Sequence, residues 1–254
     1  MSKESFKQFV KRQEEKLDKA EKMIEEVEGR WKDKIEEFEM VEKSVKELKK
    51  LWKENEKKLD TKNKHEAFSF FSSFPLPEVS PSLLERISNE FLKELKGFGR
   101  IECLEYGLGL FLSAFLSKNI ENYVSSQKEK GIKEEKIKSI EVHLNVEELP
   151  IPLDCLGWQN PKKLHLIIEG NCGLEIGGEM RDGEITIEGN CKDWTGLDMK
   201  GGELNVKGEV KSFDKSAFSS NNQGTIIWKR TKIWENGDWT KEGKEMKEKG
   251  EIPV

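Results

Sequence analysis

The sequence predicts an α+β chain: a long N-terminal coiled-coil helix, a small helical unit, and a short C-terminal β-helix closed by a β-hairpin. Three observations predict it. From Phe6 to Leu59 apolar residues recur in alternating steps of four and three. Ser80-Pro81 opens an apolar stretch with helical spacing. From Lys162 onward a block of 19 residues repeats.

The first region, residues 1–64, carries a heptad seam through Val10, Leu17, Ile24, Val27, Trp31, Phe38, Val45, Leu48 and Trp52. Its flanks hold 19 Lys/Arg against 17 Asp/Glu, finely mixed, as on a solvated helix surface. A lone helix would expose such a stripe, so it wants partners. Parallel helices from further copies of the chain would bury it and make residues 1–64 the seam of a homo-oligomer. Gln13, Lys34 and Asn55 at seam positions favour register control over maximal stability. Two other readings stay open: a hairpin folded back near Gly29, and a helix packed along the protein's own body.

The next stretch, 65–80, is rich in Ser, Pro and Phe and reads as a linker whose phenylalanines dock elsewhere. The helical unit spans 81–135. Ser80 is its cap and Pro81 its first residue. Leu83, Leu84, Ile87, Phe91, Leu92 and Leu95 form an apolar stripe ended by Gly97. A second helix runs from about Arg100 to Lys130, where Gly107 and Gly109 allow close packing or a kink.

The repeat is clearest between "KKLHLIIEGNCGLEIGGEM" and "RDGEITIEGNCKDWTGLDM". At a constant shift of 19, Gly170, Asn171, Cys172, Gly177 and Met180 recur as Gly189, Asn190, Cys191, Gly196 and Met199. Gly202, Glu203, Leu204, Val206 and Gly208 begin a third copy, and Gly224, Ile226 and Trp228 continue it after an insertion of three residues. Leu144 and Val146 fit an earlier copy, separated by a longer loop containing "LPIPLDCLGWQNP". One short alternating strand per repeat cannot bury its own apolar face; stacked coils can, at about 4.8 Å spacing. The expected ladders are Leu166, Ile185, Leu204, Ile226 and Ile168, Ile187, Val206, Trp228. The β-helix and its terminal hairpin occupy 140–241. The hairpin turns at Asn236-Gly237, and Trp228, Trp234 and Trp239 gather there as a lid or as a partner-binding patch. Residues 242–254 read as a mobile tail.

The stretch "GNCKDWTGLDMKGGELNVKG" resembles the repeat of the glycine-rich β-helix domain shared by the β-helical subunit of formylmethanofuran dehydrogenase and the C-terminal domain of the glutamate synthase large subunit. The resemblance covers about Lys162 to Gly208. It departs in having Cys where Ala is usual, and Lys192-Asp193 where a glycine is usual. It implies a right-handed β-helix that holds other subunits together and does no chemistry itself, and says nothing of residues 1–135.

No catalytic constellation emerges. His65, His143 and His165 stand in unrelated segments. Cys172 and Cys191 fall on adjacent coils, but no further Cys or His keeps the period to complete a metal set, so they read as buried filler. No cofactor is expected. The net charge of −5 argues against a general nucleic-acid binder. No signal segment and no apolar run of membrane-spanning length is found, so a cytoplasmic protein is expected. The Lys/Glu excess resembles thermophilic composition. The expected function is non-catalytic assembly: a coiled coil for oligomerisation and a β-helix as a rigid docking or polymerising face, with protein partners. Two alternatives stand beside it: an accessory or scaffold subunit of a redox or amidotransferase-type enzyme complex, and an enzyme with its site in the helical middle.

Overall fold

The computed structural model describes residues 3–55, 63–95 and 104–254; side chains before Lys19, at 20, 21 and 24, and at 104–106 lie outside this description. The chain divides into residues 1–43 and 44–254. Helix α1 spans Lys3–Asn55. It contains no proline and is dominated by Lys and Glu, which lose little rotamer freedom in a helix.

In the larger unit the last turns of α1 lie in a helical layer with α2 (Lys64–Ser72), α3 (Pro81–Leu95) and α4 (Leu104–Glu129). Its core is aromatic. Trp52 is 1 % exposed and sits 5.6 Å from Phe111, which is 5.2 Å from Phe71 and 5.8 Å from Phe91 between ring centroids.

The linker expected over 65–80 is therefore helical in its first half. Asn63 caps it: its side chain accepts from Glu66 N at 2.9 Å and donates to Glu66 Oε1 at 3.1 Å. The first bond caps the helix and the second, side chain to side chain, holds the cap in place. Phe68 and Phe71 are buried, as docking phenylalanines should be.

Helix α4 meets the β-rich part at Gly109. A Cβ built there would lie 1.8 Å from the carbonyl oxygen of Asp154, so only glycine permits this approach. One turn on, Ser113 Oγ donates to Gly109 O at 2.7 Å and accepts from Gly157 N at 3.0 Å.

Residues 140–228 form a β-solenoid of about four turns. Its strands are β1 (Ile140–Asn145), β2 (Leu164–Glu169), β3 (Glu184–Ile187), β4 (Glu203–Val206) and β5 (Thr225–Trp228), paired in parallel in that order. The inward ladders are Val142, Leu166, Ile185, Leu204, Ile226 and Leu144, Ile168, Ile187, Val206, Trp228. All ten side chains are buried. The first copy is thus Val142 and Leu144, two residues before the expected Leu144 and Val146. Val146 lies beyond the strand and donates its N–H to Glu169 O at 2.9 Å.

The longer loop expected around Cys155 is largely a regular coil. Cys155, Glu175 and Trp194 have φ of 57°, 57° and 61°, and Gln159, Glu179 and Asp198 have 52°, 50° and 49°. Between them Gly157, Gly177 and Gly196 have 71°, 69° and 75°. Three left-handed residues alternating with ordinary ones make each corner, and the corners stack. Gly177 N donates to Leu156 O at 3.0 Å and Gly196 N to Ile176 O at 2.9 Å.

After β5 the pairing reverses. Strand β6 (Thr231–Glu235) runs antiparallel to β5, and β7 (Asp238–Trp239) antiparallel to β6, joined by Asn236 and Gly237 with φ of 50° and 83°. The expected mobile tail is instead ordered. Helix α5 (Lys241–Glu248) is capped by Thr240, and Gly243 packs so closely that a Cβ would stand 2.1 Å from Ile233 O. Beyond it Ile252 is buried and Pro253 O accepts from Phe213 N at 2.8 Å.

Candidate functional site

Two features offer themselves for function: an apolar stripe on α1 and the surface of the solenoid. On α1 the seam residues divide. Val27, Trp31 and Phe38 are 50 %, 63 % and 56 % exposed, and Met23 and Ile35 beside them are exposed too. Spacings of four and three put all five on one helical face. The Lys34 ammonium lies 5.8 Å from the centre of the Trp31 ring. Val45, Leu48 and Trp52, by contrast, are buried in the chain's own core. The expectation that these three form an intermolecular seam is corrected: all three are buried within the single chain, and Trp52 packs against Phe71 of α2 and Phe111 of α4. The side chains of Val10, Leu17 and Ile24 fall outside the described residues.

The tryptophans at the solenoid's end are mostly interior. Trp228 and Trp234 are buried, and their indole N–H groups donate to Gly208 O and Asn222 O at 3.1 Å each. Trp239 is half-buried; it stacks on Phe218 at 4.3 Å and meets Trp234 edge-on at 5.5 Å.

Cys155, Cys172 and Cys191 are buried. Cys172 and Cys191 stack on successive coils. The hydrogen bond between Cys172 and Cys191, then burial, holds the Cys172 thiol well above its ordinary value. Burial likewise raises Cys155, whose Sγ lies 3.8 Å from Glu175 Oε2. Glu175 is itself buried and paired with Lys64 of α2, which ties that helix to the second coil. A thiol kept protonated is a poor nucleophile. Cys172 and Cys191 are both buried and are expected on that ground to resist a thiol reagent in the folded protein and to react fully in denaturant. Labelling at native rates equal to a free thiol would contradict their burial.

On the outer sheet face His143 is bracketed by carboxylates. Its ring nitrogens stand 3.1 Å from Glu141 Oε1 and 3.4 Å from Glu169 Oε1, while its backbone N–H donates to Glu85 Oε2 of α3 at 3.1 Å. The Glu141 hydrogen bond, more than Glu169 or the nearby Glu85 charge, raises its pKa. A group raised on folding stabilises most below its unfolded value, about 6.5. That contribution is lost as pH rises through the folded value. The urea midpoint should therefore fall between about pH 6 and 9, and less steeply in His143→Gln. Equal slopes in both proteins would remove the effect from His143. His165 sits 3.4 Å from Glu141 and 3.6 Å from Glu184. Among the described residues no group of three or more His, Cys, Asp or Glu is placed to hold a metal ion. No described helix is long and apolar enough to cross a membrane.

Comparison with protein-family models, curated proteins and solved structures finds no match to this chain.

Proposed function

We propose that the chain is a non-catalytic assembly protein. The N-terminal part of α1 joins copies through its heptad seam, and the helical layer and solenoid form the docking block that each copy contributes. The observation that carries this is the exposed stripe of Met23, Val27, Trp31, Ile35 and Phe38 on a helix otherwise clothed in Lys and Glu. Burial of a large apolar side chain is worth roughly 1.5–3 kcal/mol, so several per chain exceed what a stable association needs after its entropy cost. A second copy fits because Val27, Trp31 and Phe38 within this face keep heptad spacing and its flanks mix both charges, so like surfaces can meet without net repulsion.

The solenoid serves in this reading as a block for docking. Buried Trp228 and Trp234, the antiparallel β6, and the packed α5 support its closure at the far end by the hairpin. An accessory-subunit role in a redox or amidotransferase-type complex is favoured only by the repeat's resemblance, with its recurring Gly177/Gly196, Asn171/Asn190 and Met180/Met199.

The experiment is sedimentation of the full chain and of the double variant Val27→Glu/Trp31→Glu. The variant is expected to sediment as a monomer with its melting temperature within a few degrees of wild type, since both residues are exposed in the single chain. An unchanged oligomer would overturn the seam.

A further inference from the structure

We propose that Asn89 of α3 and Ser113 of α4 terminate the solenoid: their side chains stand where the backbone of one more coil would pair, and keep a second copy from adding there. In a parallel ladder every second residue donates its N–H to the carbonyl before its opposite number and accepts from the N–H after it. On the outer edge of β1, Asn89 Nδ2 donates to His143 O at 2.7 Å, and Asn145 N donates to Asn89 Oδ1 at 2.9 Å. The carboxamide thus acts as a peptide group placed opposite Leu144, in line with Ile168 and Ile187 on the other side. Glu85 takes a further outward donor, His143 N.

The corner ladder ends the same way. Gly196 N reaches Ile176 O, Gly177 N reaches Leu156 O, and Gly157 N reaches Ser113 Oγ at 3.0 Å. The Ser113 hydroxyl donates to Gly109 O at 2.7 Å, which leaves a lone pair facing Gly157. Two side chains on two helices therefore supply the partners of two separate rows. An apolar residue at either place leaves edge backbone groups without these partners, a buried one at Gly157, and an uncovered strand edge is a template for another chain.

Amide exchange on the full chain tests this. In wild type, the amides of Asn145 and Gly157 should exchange as slowly as those of Val146 and Gly177, which bond within the solenoid. Asn89→Leu should speed Asn145 by roughly 5- to 150-fold, and Ser113→Ala should do so for Gly157 alone. The pair of substitutions, placed in the Val27→Glu/Trp31→Glu background, should add an association that grows with concentration and owes nothing to α1. Fast exchange of Asn145 and Gly157 in wild type would overturn the proposal, whether or not any variant folds. So would a folded quadruple variant whose mass by light scattering equals that of the background at every concentration.

Discussion

Gly109→Ala is expected to destabilise the larger unit strongly, against the usual sign. In an open helix interior this change gains about 1 kcal/mol in propensity. Gly29 of α1, with nothing within 4 Å of a built Cβ, should behave so. At Gly109 the new methyl would lie 1.8 Å from Asp154 O and 3.2 Å from Leu156 N, both backbone atoms of a hydrogen-bonded coil. Neither can give way without breaking the corner ladder, so α4 must retreat. That withdraws Ser113 from Gly157 and loosens Phe111 in the aromatic core. A cost of about 2–4 kcal/mol, at the upper end for overpacking, should lower the melting temperature by roughly 5–15 °C. A melting temperature equal to or above wild type would show that α4 and the solenoid do not meet at Gly109.

Ile187→Asp should prevent the solenoid from folding. Ile187 is fully buried in the ladder between Ile168 and Val206. A carboxylate there has no partner, and the lost side chain leaves a cavity as well; together they exceed about 4 kcal/mol, a large share of a domain's stability. Thr186→Asp, one residue earlier, places the same group on the outer face beside His165 Nε2, now 3.2 Å from Thr186 Oγ1. It should cost no more than about 1 kcal/mol. Circular dichroism and urea titration separate the two. Equal behaviour would contradict the inward and outward alternation.

The solenoid was legible where its period is constant. A fixed shift of 19 residues places Leu166, Ile185 and Leu204 in one ladder without any further assumption. The first coil was hidden because its shift to the second is 24 in the strand and 20 at the corner, and Trp158 stands where Gly178 follows. Only Gly157 kept the signature. The register of β1 was ambiguous for a physical reason: Val142, Leu144 and Val146 alternate, so two registers bury equally apolar pairs.

Helix α2 escaped notice beneath its Ser and Pro neighbours, although Asn63 and Glu66 have the spacing of a cap. The ordered end beyond Lys241 depends on one close contact at Gly243, which no local pattern announces. On α1 the heptad did not distinguish a seam facing another chain from one facing its own core. Phe38 and Val45, seven residues apart, occupy equivalent steps yet differ in burial, because the later turns enter the chain's own core, where Trp52 packs against Phe71 and Phe111. Asn89 and Ser113 left no trace in the sequence, since single polar residues on helices are common.

The central claim, that α1 carries association while the larger unit is self-contained, is tested most directly by the solution mass of two chains. Light scattering should be measured on the full chain and on one beginning at Glu39, which keeps Val45, Leu48 and Trp52 in the core. The account predicts an oligomer for the first and a folded monomer for the second. A full chain that is monomeric, or an oligomer that survives the shortening, would contradict it.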